Sequence, residues 1–207
     1  MTTSSPYIGA SVKRLEDRRF LTGTGLYIDD VKLPDMAVMA IYRSPHAHAR
    51  INSIDLAAAR AVPGVIDAFC AADIDMDLPV IPLRLAPFDG FERFLQRPIA
   101  QDKVRFVGEP VAVVIASDRY IAEDALDLIE VDFAPLPAVT SVDQAVSGET
   151  LIHEDAGENM GTRYTVGRGD TDDAFSDAPY TRRERSTTNR HGAVPMETRG
   201  LIAEFDP

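Results

Sequence analysis

The sequence predicts a mixed α+β fold, because a strongly apolar strand pattern is followed directly by an amphipathic helix pattern. Residues 111–116 are all apolar, as expected for a strand inside a sheet. Ser117 or Asp118 can cap the helix that follows. Its apolar positions fall on one face of a helical wheel: Ile121, Ala125, Leu128 and Ile129. We therefore expect an interior strand and a helix with one apolar face.

Weaker patterns on both sides of this pair predict the remaining elements up to residue 146. Strands are predicted over 36–42, 50–54, 65–70, 103–107 and 130–133. Short helices are predicted over 56–61, behind the candidate cap Asp55, and over 141–146, where Ser141 and Gln144 have capping-box spacing.

Residues 73–101 form a long insertion between two of these strands. The segment contains four prolines and shows no sustained periodicity, so we expect mostly loop. Long irregular segments in compact domains are usually functional or form contact surfaces.

A polar tract over residues 147–161 predicts a domain boundary. The two expected domains are residues 1–150, including an irregular N-terminal segment over 9–30, and residues 151–207. In the second, strands are predicted over 163–166, 180–187 and 201–205, with a small helix over 172–176. Because the sequence stops directly after a strand pattern, we expect this second domain to be incomplete.

Composition excludes several classes of protein. The 207 residues include 21 Lys and Arg against 33 Asp and Glu, a formal charge of −12, which disfavours binding to nucleic acid or an anionic membrane. No apolar run is long enough to span a membrane, and no secretory signal is visible at the N-terminus. The single cysteine, Cys70, cannot form an intramolecular disulfide. We expect a soluble, cytoplasmic protein.

Two histidines, His46 and His48, lie on the same side of an extended segment, a spacing that can ligate a metal. No cysteine or carboxylate nearby completes such a site, so we favour histidines that hydrogen-bond to backbone at a turn.

A local basic cluster occurs late in this acidic chain, formed by Arg182, Arg183, Arg185 and Arg190. On a strand, Arg183 and Arg185 would share one face. The cluster could bind an acidic partner or a cofactor phosphate, and a solvated strand face is an equally good interpretation.

Other motifs carry no chemistry by themselves. Gly23 and Gly25 lack the preceding strand and the third glycine of a dinucleotide fingerprint, so they are interpreted as turn glycines. The tripeptide 168–170 is interpreted as a chance match to an adhesion motif. Cys70 lies in an apolar strand pattern, where thiols are usually inert and have a raised pKa. No catalytic residue and no metal ligand is assigned, and the cofactor-binding residues are unknown at this stage.

Several segments resemble the amino-terminal region of the molybdenum-binding large subunit of the xanthine dehydrogenase and aldehyde oxidase family, in particular its carbon monoxide dehydrogenase large-chain branch. The matching segments follow one another in order and cover nearly the whole chain. They are Gly9 with residues 12–17, then 19–23, 27–30, 43–51, 106–112, 122–125, 131–133, 135–137 and 191–200.

This resemblance implies an α/β hammerhead domain followed by the first strands of a molybdenum-cofactor-binding domain. In such enzymes the large subunit binds molybdenum and molybdopterin, and electrons leave through iron–sulfur clusters to FAD on partner subunits or domains. The family's catalytic glutamate and cofactor-holding loops lie beyond the matched region. No catalytic residue is therefore transferred to this chain, and we expect the isolated chain to be inactive.

Two functional hypotheses follow. In the first, the chain is the scaffold and interface part of a molybdenum hydroxylase large subunit, and its partners are the rest of that subunit and the flavin and iron–sulfur subunits. Residues 73–101 would then contact a partner subunit, and residues 191–200 would pack near the cofactor domain. In the second, it is a stand-alone, non-catalytic binding or assembly module with a hammerhead fold.

Overall fold

The computed structural model describes residues 7–83, 89–189, 191–195 and 197–205. Its contacts divide the chain into two compact units, residues 35–179 and residues 1–34 with 180–207. We call them the large unit and the small unit. The predicted domain boundary near residue 150 lies inside the large unit. It is not tested by this division and stays a prediction.

Strands occupy the large unit and helices occur in both units. In the described ranges the strands are β1 (Val38–Arg43), β2 (Ala49–Asp55), β3 (Val65–Cys70), β4 (Lys103–Val104), β5 (Pro110–Ala116) and β6 (Glu130–Pro135). The α-helices are α1 (Asp17–Leu21), α2 (Ala57–Arg60), α3 (Arg119–Leu126), α4 (Val142–Ser147) and α5 (Thr171–Asp177). Within the same ranges, no helix has the length and apolar character needed to cross a bilayer.

The first sheet has the order β1-β5-β3, with both pairings antiparallel. The expectation of an interior apolar strand is confirmed, since β5 lies between the other two. One face of β5 presents Ala112, Val114 and Ala116 to a core shared with α2 and α3. The opposite face presents Val113, which packs against the insertion.

Helix α3 begins as predicted, because the Asp118 carboxylate accepts a hydrogen bond from the Tyr120 amide at 2.8 Å. Ala122 and Ala125 form its buried face, and Ile129 is buried beyond its end. The inclusion of Leu128 on that face is wrong, since its side chain is 44% exposed. The helix ends at Leu126, so Leu128 no longer follows the helical period.

The second sheet has the order β4-β2-β6 and is also antiparallel. Its core contains Ala49, Ala100, Val104 and Val111. The strand predicted over 103–107 is wrong beyond Val104, because the chain turns there. The Glu109 amide donates to the Phe106 carbonyl at 3.3 Å, and Gly108 has a φ of +90°.

The short helices and their caps agree with the sequence in most details. Helix α4 shows both bonds of the capping box between Ser141 and Gln144. At α2 the Asp55 carboxylate accepts from the Ala57 amide at 2.8 Å, while Leu56 occupies the N-cap position itself.

The insertion is mostly irregular, as predicted, with a short 3-10 helix over Phe91–Phe94. Leu78 and Ile99 are buried against Val113 of the first sheet. The Ile81 amide donates to the Gln96 carbonyl at 2.8 Å, which joins the two arms of the insertion. Residues 84–88 lie outside the described residues.

The strands predicted over 163–166, 180–187 and 201–205 are wrong, since none of these segments is a strand in the part of the chain that the structure describes. A strand needs a neighbouring strand for its backbone groups, and the strand pairings of the described residues all lie between Val38 and Pro135. The helix predicted over 172–176 is confirmed as α5, whose cap Asp170 accepts from the amides of Asp172 and Asp173.

The small unit joins the two ends of the chain. The segment over 9–30, expected to be irregular, contains α1 and a 3-10 helix over Ile28–Asp30. The Ile28 amide donates to Glu197 Oε1 at 2.9 Å, although the two residues are 169 positions apart. A Cβ atom at Gly200 would lie 2.6 Å from the Ile28 side chain, so a glycine permits this close approach.

Candidate functional site

Four polar side chains are buried beside the second sheet or in the turn between β4 and β5, where most folds place apolar residues. They belong to Ser44, His48, Lys103 and Glu109. Segments far apart in the sequence bring them into the large unit, and a cleft lies beside them.

His48 is fixed by a backbone hydrogen bond. Its Nδ1 lies 2.7 Å from the Pro137 carbonyl oxygen, which can only accept, so Nδ1 carries the proton. Nε2 is buried and has no hydrogen-bond partner among the described residues. His46 instead packs its ring edge-on to Phe133, with centroids 4.9 Å apart.

Across residues 7–83, 89–189, 191–195 and 197–205, no group of three His, Cys, Asp or Glu side chains is placed to hold a metal ion. His48 makes the backbone hydrogen bond that the sequence favoured.

Lys103 is buried to 4% exposure at the start of β4, yet it carries an ammonium group. Its Nζ donates to Glu154 Oε2 at 2.5 Å, and the Glu154 side chain is itself exposed. The hydrogen bond from Lys103 is the main reason that the pKa of Glu154 lies below its ordinary value. The pair therefore connects β4 to the segment around residue 154.

Glu109 is buried at 5% exposure, immediately before β5. Its Oε2 accepts from the Arg105 amide at 2.5 Å, so the carboxylate closes the turn that ends β4. Burial raises the pKa of Glu109, and the neighbouring amides and the Arg105 charge oppose that shift.

A cleft of about 380 Å³ opens beside this turn. Its lining comes from the insertion, the turn over 105–109 and residues 152–155. The charged and imidazole groups that line it are Arg93, Arg97, Arg105, Asp102, Glu109, Asp155 and His153. The apolar groups are Val80, Phe94, Leu95, Ile99, Phe106 and Ile152.

The imidazole of His153 lines this cleft, and its pKa depends on the charged groups nearby. Its ring packs edge-on to Phe94, with centroids 5.3 Å apart. Its pKa is lowered, first by burial and then by electrostatic interactions with Arg105, His48 and Lys103, while Asp155 acts the other way. Burial is therefore the main reason that the neutral form of this ring is favoured.

The basic cluster predicted at Arg182, Arg183 and Arg185 forms no strand face, because 180–187 is not a strand. Arg182 instead pairs with Glu184. Arg190, the fourth member, lies outside the described residues.

The other motifs have structural roles. Gly23 has a φ of +71°, which agrees with a turn glycine. Cys70 is buried in β3, and burial raises the pKa of its thiol, as the sequence predicts.

Sequence reasoning missed Lys103, Arg105, Glu109 and His153. A weak signal was available, because Lys103 and Arg105 interrupt a predicted strand and Glu109 immediately precedes an entirely apolar one. Nothing local indicates that residues 153 and 154 return to this point. The cluster depends on tertiary structure.

Two small antiparallel sheets with helices packed on one of them, and a polar cleft beside the turn that joins β4 to β5, define a mixed α+β domain. Residues 22–137 match the family model described as "Aldehyde oxidase and xanthine dehydrogenase, a/b hammerhead domain". The chain therefore belongs to this family, and the predicted hammerhead fold is confirmed.

Individual proteins show the same relationship. The chain is 38% identical over 204 residues to the 6-hydroxypseudooxynicotine dehydrogenase complex subunit gamma of Paenarthrobacter nicotinovorans, a match covering 97% of this chain and 26% of the relative. It is 37% identical over 213 residues to the carbon monoxide dehydrogenase large chain of Afipia carboxidovorans, covering 96% and 26%. The chain thus spans about a quarter of the length of these relatives.

Solved structures agree with this fold. Quinoline 2-oxidoreductase from Pseudomonas putida 86 matches with a TM-score of 0.57 and 45% sequence identity, over 71% of this chain and 19% of that one. The reconstituted CO dehydrogenase from Oligotropha carboxidovorans matches with a TM-score of 0.54 and 45% identity, over 66% and 16%.

The family implies a molybdenum–molybdopterin cofactor, and the cleft does not fit it. Three carboxyl groups, from Asp102, Glu109 and Asp155, line the cleft and would repel the doubly charged phosphate of a molybdopterin. The buried Glu109 oxygen is already occupied by the Arg105 amide. We assign no cofactor contact and no reaction step to these residues.

Proposed function

We propose that this chain is the amino-terminal scaffold and interface part of a molybdenum hydroxylase large subunit, and that the catalytic residues lie in sequence outside it. The proposal rests on two numbers: the share of this chain that aligns with its relatives, and the share of the relatives that this chain covers. Nearly the whole chain aligns with large-subunit relatives, while it spans only about a quarter of their length. The cofactor-binding and catalytic parts are then expected in the remaining three quarters.

The large unit has the properties of a rigid support. Its buried apolar residues form three clusters around two sheets. Burying such clusters stabilises a domain without help from a ligand. A preformed body of this kind can hold other parts of a subunit in position.

The insertion supplies the surface that we propose as the contact with a flavin or iron–sulfur partner. Met76, Val80, Ile81 and Leu83 remain substantially exposed on it. The other side of the insertion is anchored, because Leu78 and Ile99 are buried against β5. An exposed apolar surface held on an ordered support is typical of a protein–protein interface.

The test is assembly of the complete multi-subunit enzyme. We expect Met76→Asp with Ile81→Asp to reduce co-purification of the partner subunits at least about tenfold, because two charges would be buried at the contact. The matched control is Val142→Asp with Val166→Asp, which places the same two charges at exposed valines in the large unit. Normal assembly of the double variant, or equal loss in the control, would contradict an interface at the insertion.

The role of residues 191–200 is tested by cofactor content. We propose that this segment packs near the cofactor domain in the complete subunit. His191→Ala with Arg199→Ala should then lower the molybdenum retained per large subunit, while partner assembly stays normal. Unchanged molybdenum content would remove this segment from the proposal.

A separate measurement tests whether the chemistry lies elsewhere. The purified 207-residue chain, incubated in a lysate that makes the cofactor, should retain no stoichiometric molybdenum. Stoichiometric molybdenum on the chain alone would overturn the assignment of the cofactor site to other sequence.

A further inference from the structure

One guanidinium group of the cleft, that of Arg105, has a buried nitrogen without a hydrogen-bond partner among the described residues. That nitrogen is Nε, and the Arg105 side chain lines the cleft. Arginine is rarely left in this state when it is half-buried, because its donors lose water without gaining a partner.

Glu109 interacts electrostatically with the Arg105 charge, although its main contact is with the backbone. Glu109 Oε2 accepts from the Arg105 backbone amide, so this carboxylate holds the turn. The Arg105 side chain itself lines the cleft. A guanidinium group matches the two oxygens of a carboxylate.

The neighbouring arginines build the walls of the cleft. Arg93 donates to the Ala156 carbonyl at 3.1 Å and to the Gly90 carbonyl at 3.2 Å. Arg97 donates to Asp77 Oδ1 at 2.9 Å and to the Leu78 carbonyl. Both guanidinium groups are held by backbone, so the cleft is largely preformed.

The electrostatic balance inside the cleft favours an anion of low charge. At His153, the interactions with Arg105, His48 and Lys103 lower the pKa and the interaction with Asp155 raises it. Asp102 and Asp155 nevertheless lie at the exposed part of the lining. They would repel a doubly charged phosphate more strongly than a single carboxylate.

The remaining lining is apolar and aromatic, from Phe94, Phe106, Ile99 and Ile152 among others. A volume of about 380 Å³ is in the range of small-molecule sites. We propose that the cleft binds a small organic monocarboxylate, with its carboxylate on the Arg105 guanidinium and its apolar body against these side chains.

Benzoate is the probe, and His153 is the reporter. Binding is measured by calorimetry on the purified protein, and the His153 ring is followed by NMR across a pH titration, with His153→Gln used to assign its signal. Benzoate should bind saturably and raise the pKa of His153, because an anion beside the ring stabilises its protonated form. A His153 titration curve unchanged by saturating benzoate would overturn the proposal without any variant having to fold.

Variants then locate the carboxylate. Arg105→Gln should weaken benzoate binding about tenfold or more, since a charge-assisted pair is lost, and Arg105→Lys should bind with intermediate affinity because the charge stays and the fork is lost. The control Arg168→Gln removes the same charge at an exposed arginine that does not line the cleft, and should change affinity less than about twofold. Equal weakening in Arg105→Gln and Arg168→Gln would mean only diffuse charge attraction, which overturns the site.

Two further probes separate related ligands. Inorganic phosphate binding as tightly as benzoate would overturn the requirement for an apolar body and a single charge. An Asp- and Glu-rich peptide that binds where benzoate does not would overturn the small-molecule assignment in favour of an acidic protein segment.

Discussion

The two compact units differ in how they are held together. Every described residue that is buried belongs to the large unit, where three apolar clusters surround two sheets. In the small unit no described residue is buried, and large apolar side chains such as Ile8, Leu15 and Phe205 are exposed. The Ile28–Glu197 hydrogen bond and the approach of Gly200 to Ile28 join its two segments.

This difference indicates which unit contributes most to the stability of the chain. Apolar burial is the main stabilising contribution to folding, so the large unit carries most of the free energy of unfolding. Many large apolar side chains of the small unit are exposed. Exposed apolar patches are typical of interaction surfaces. Four experiments test the contrast.

The largest effect is expected from Val114→Asp. Val114 is fully buried at the centre of β5, and a buried unpaired carboxylate costs several kcal/mol. We expect loss of the cooperative unfolding transition in circular dichroism. The matched change in the small unit, Leu15→Asp at a side chain that is 99% exposed, should leave the transition unchanged. A stable Val114→Asp protein would contradict the assignment of stability to the large unit.

Gly64→Ala tests packing inside the large unit at a smaller scale. Gly64 has a φ of +94°, and a Cβ there would lie 2.7 Å from Ile121 Cδ1 of α3. Backbone strain and overpacking together should lower the free energy of unfolding by about 1–3 kcal/mol, measured by urea denaturation.

Its control is Gly148→Ala, where φ is +69° and no atom lies within 4 Å of the added Cβ. That variant bears only the backbone strain, of about 1 kcal/mol. Equal losses at the two positions would show that the contact with Ile121 does not matter.

Two carboxyl groups of the large unit should affect the pH dependence of stability in opposite directions. The lowered pKa of Glu154 means that its pairing with Lys103 contributes fully above the ordinary pKa of 4.5 and is lost as pH falls through the folded-state pKa. The raised pKa of Glu109 gives a contribution that is present below 4.5 and lost as pH rises through the folded-state pKa.

Urea denaturation as a function of pH distinguishes the two groups. The stability difference between the native sequence and Glu154→Gln should shrink as pH falls below 4.5. The stability of Glu109→Gln relative to the native sequence should improve as pH rises above 4.5. Parallel profiles for the two variants would contradict the opposite environments of these carboxyl groups.

The smallest effect is expected from Gly200→Ala in the small unit. An added Cβ would press on the Ile28 side chain, so hydrogen exchange at the Ile28 amide should accelerate. The thermal midpoint of the large unit should not change. Gly192→Ala, whose Cβ would meet its nearest neighbour only at 4.0 Å, serves as the control. Unchanged exchange at Ile28 in Gly200→Ala would show that this contact does not hold the two segments together.

The sequence predicts the large unit well because its signals are local. The all-apolar run of β5, the Asp118 cap of α3 and the Ser141–Gln144 capping box are each specified within a few residues, and all three are confirmed. The strands predicted over 163–166, 180–187 and 201–205 fail for a related reason. An apolar or aromatic run favours a strand only where another strand pairs with it, and pairing is not encoded locally.

The amino-acid sequence by itself determines the apolar β5 strand, the capped helices, the irregular insertion and the family resemblance. Tertiary structure alone places Lys103 against Glu154, lines one cleft with Arg105 and His153, and joins Ile28 to Glu197. The physical reason is the range of the interactions. Periodicity and capping act over one or two turns of chain, whereas a buried charge finds its partner only after distant segments have folded together.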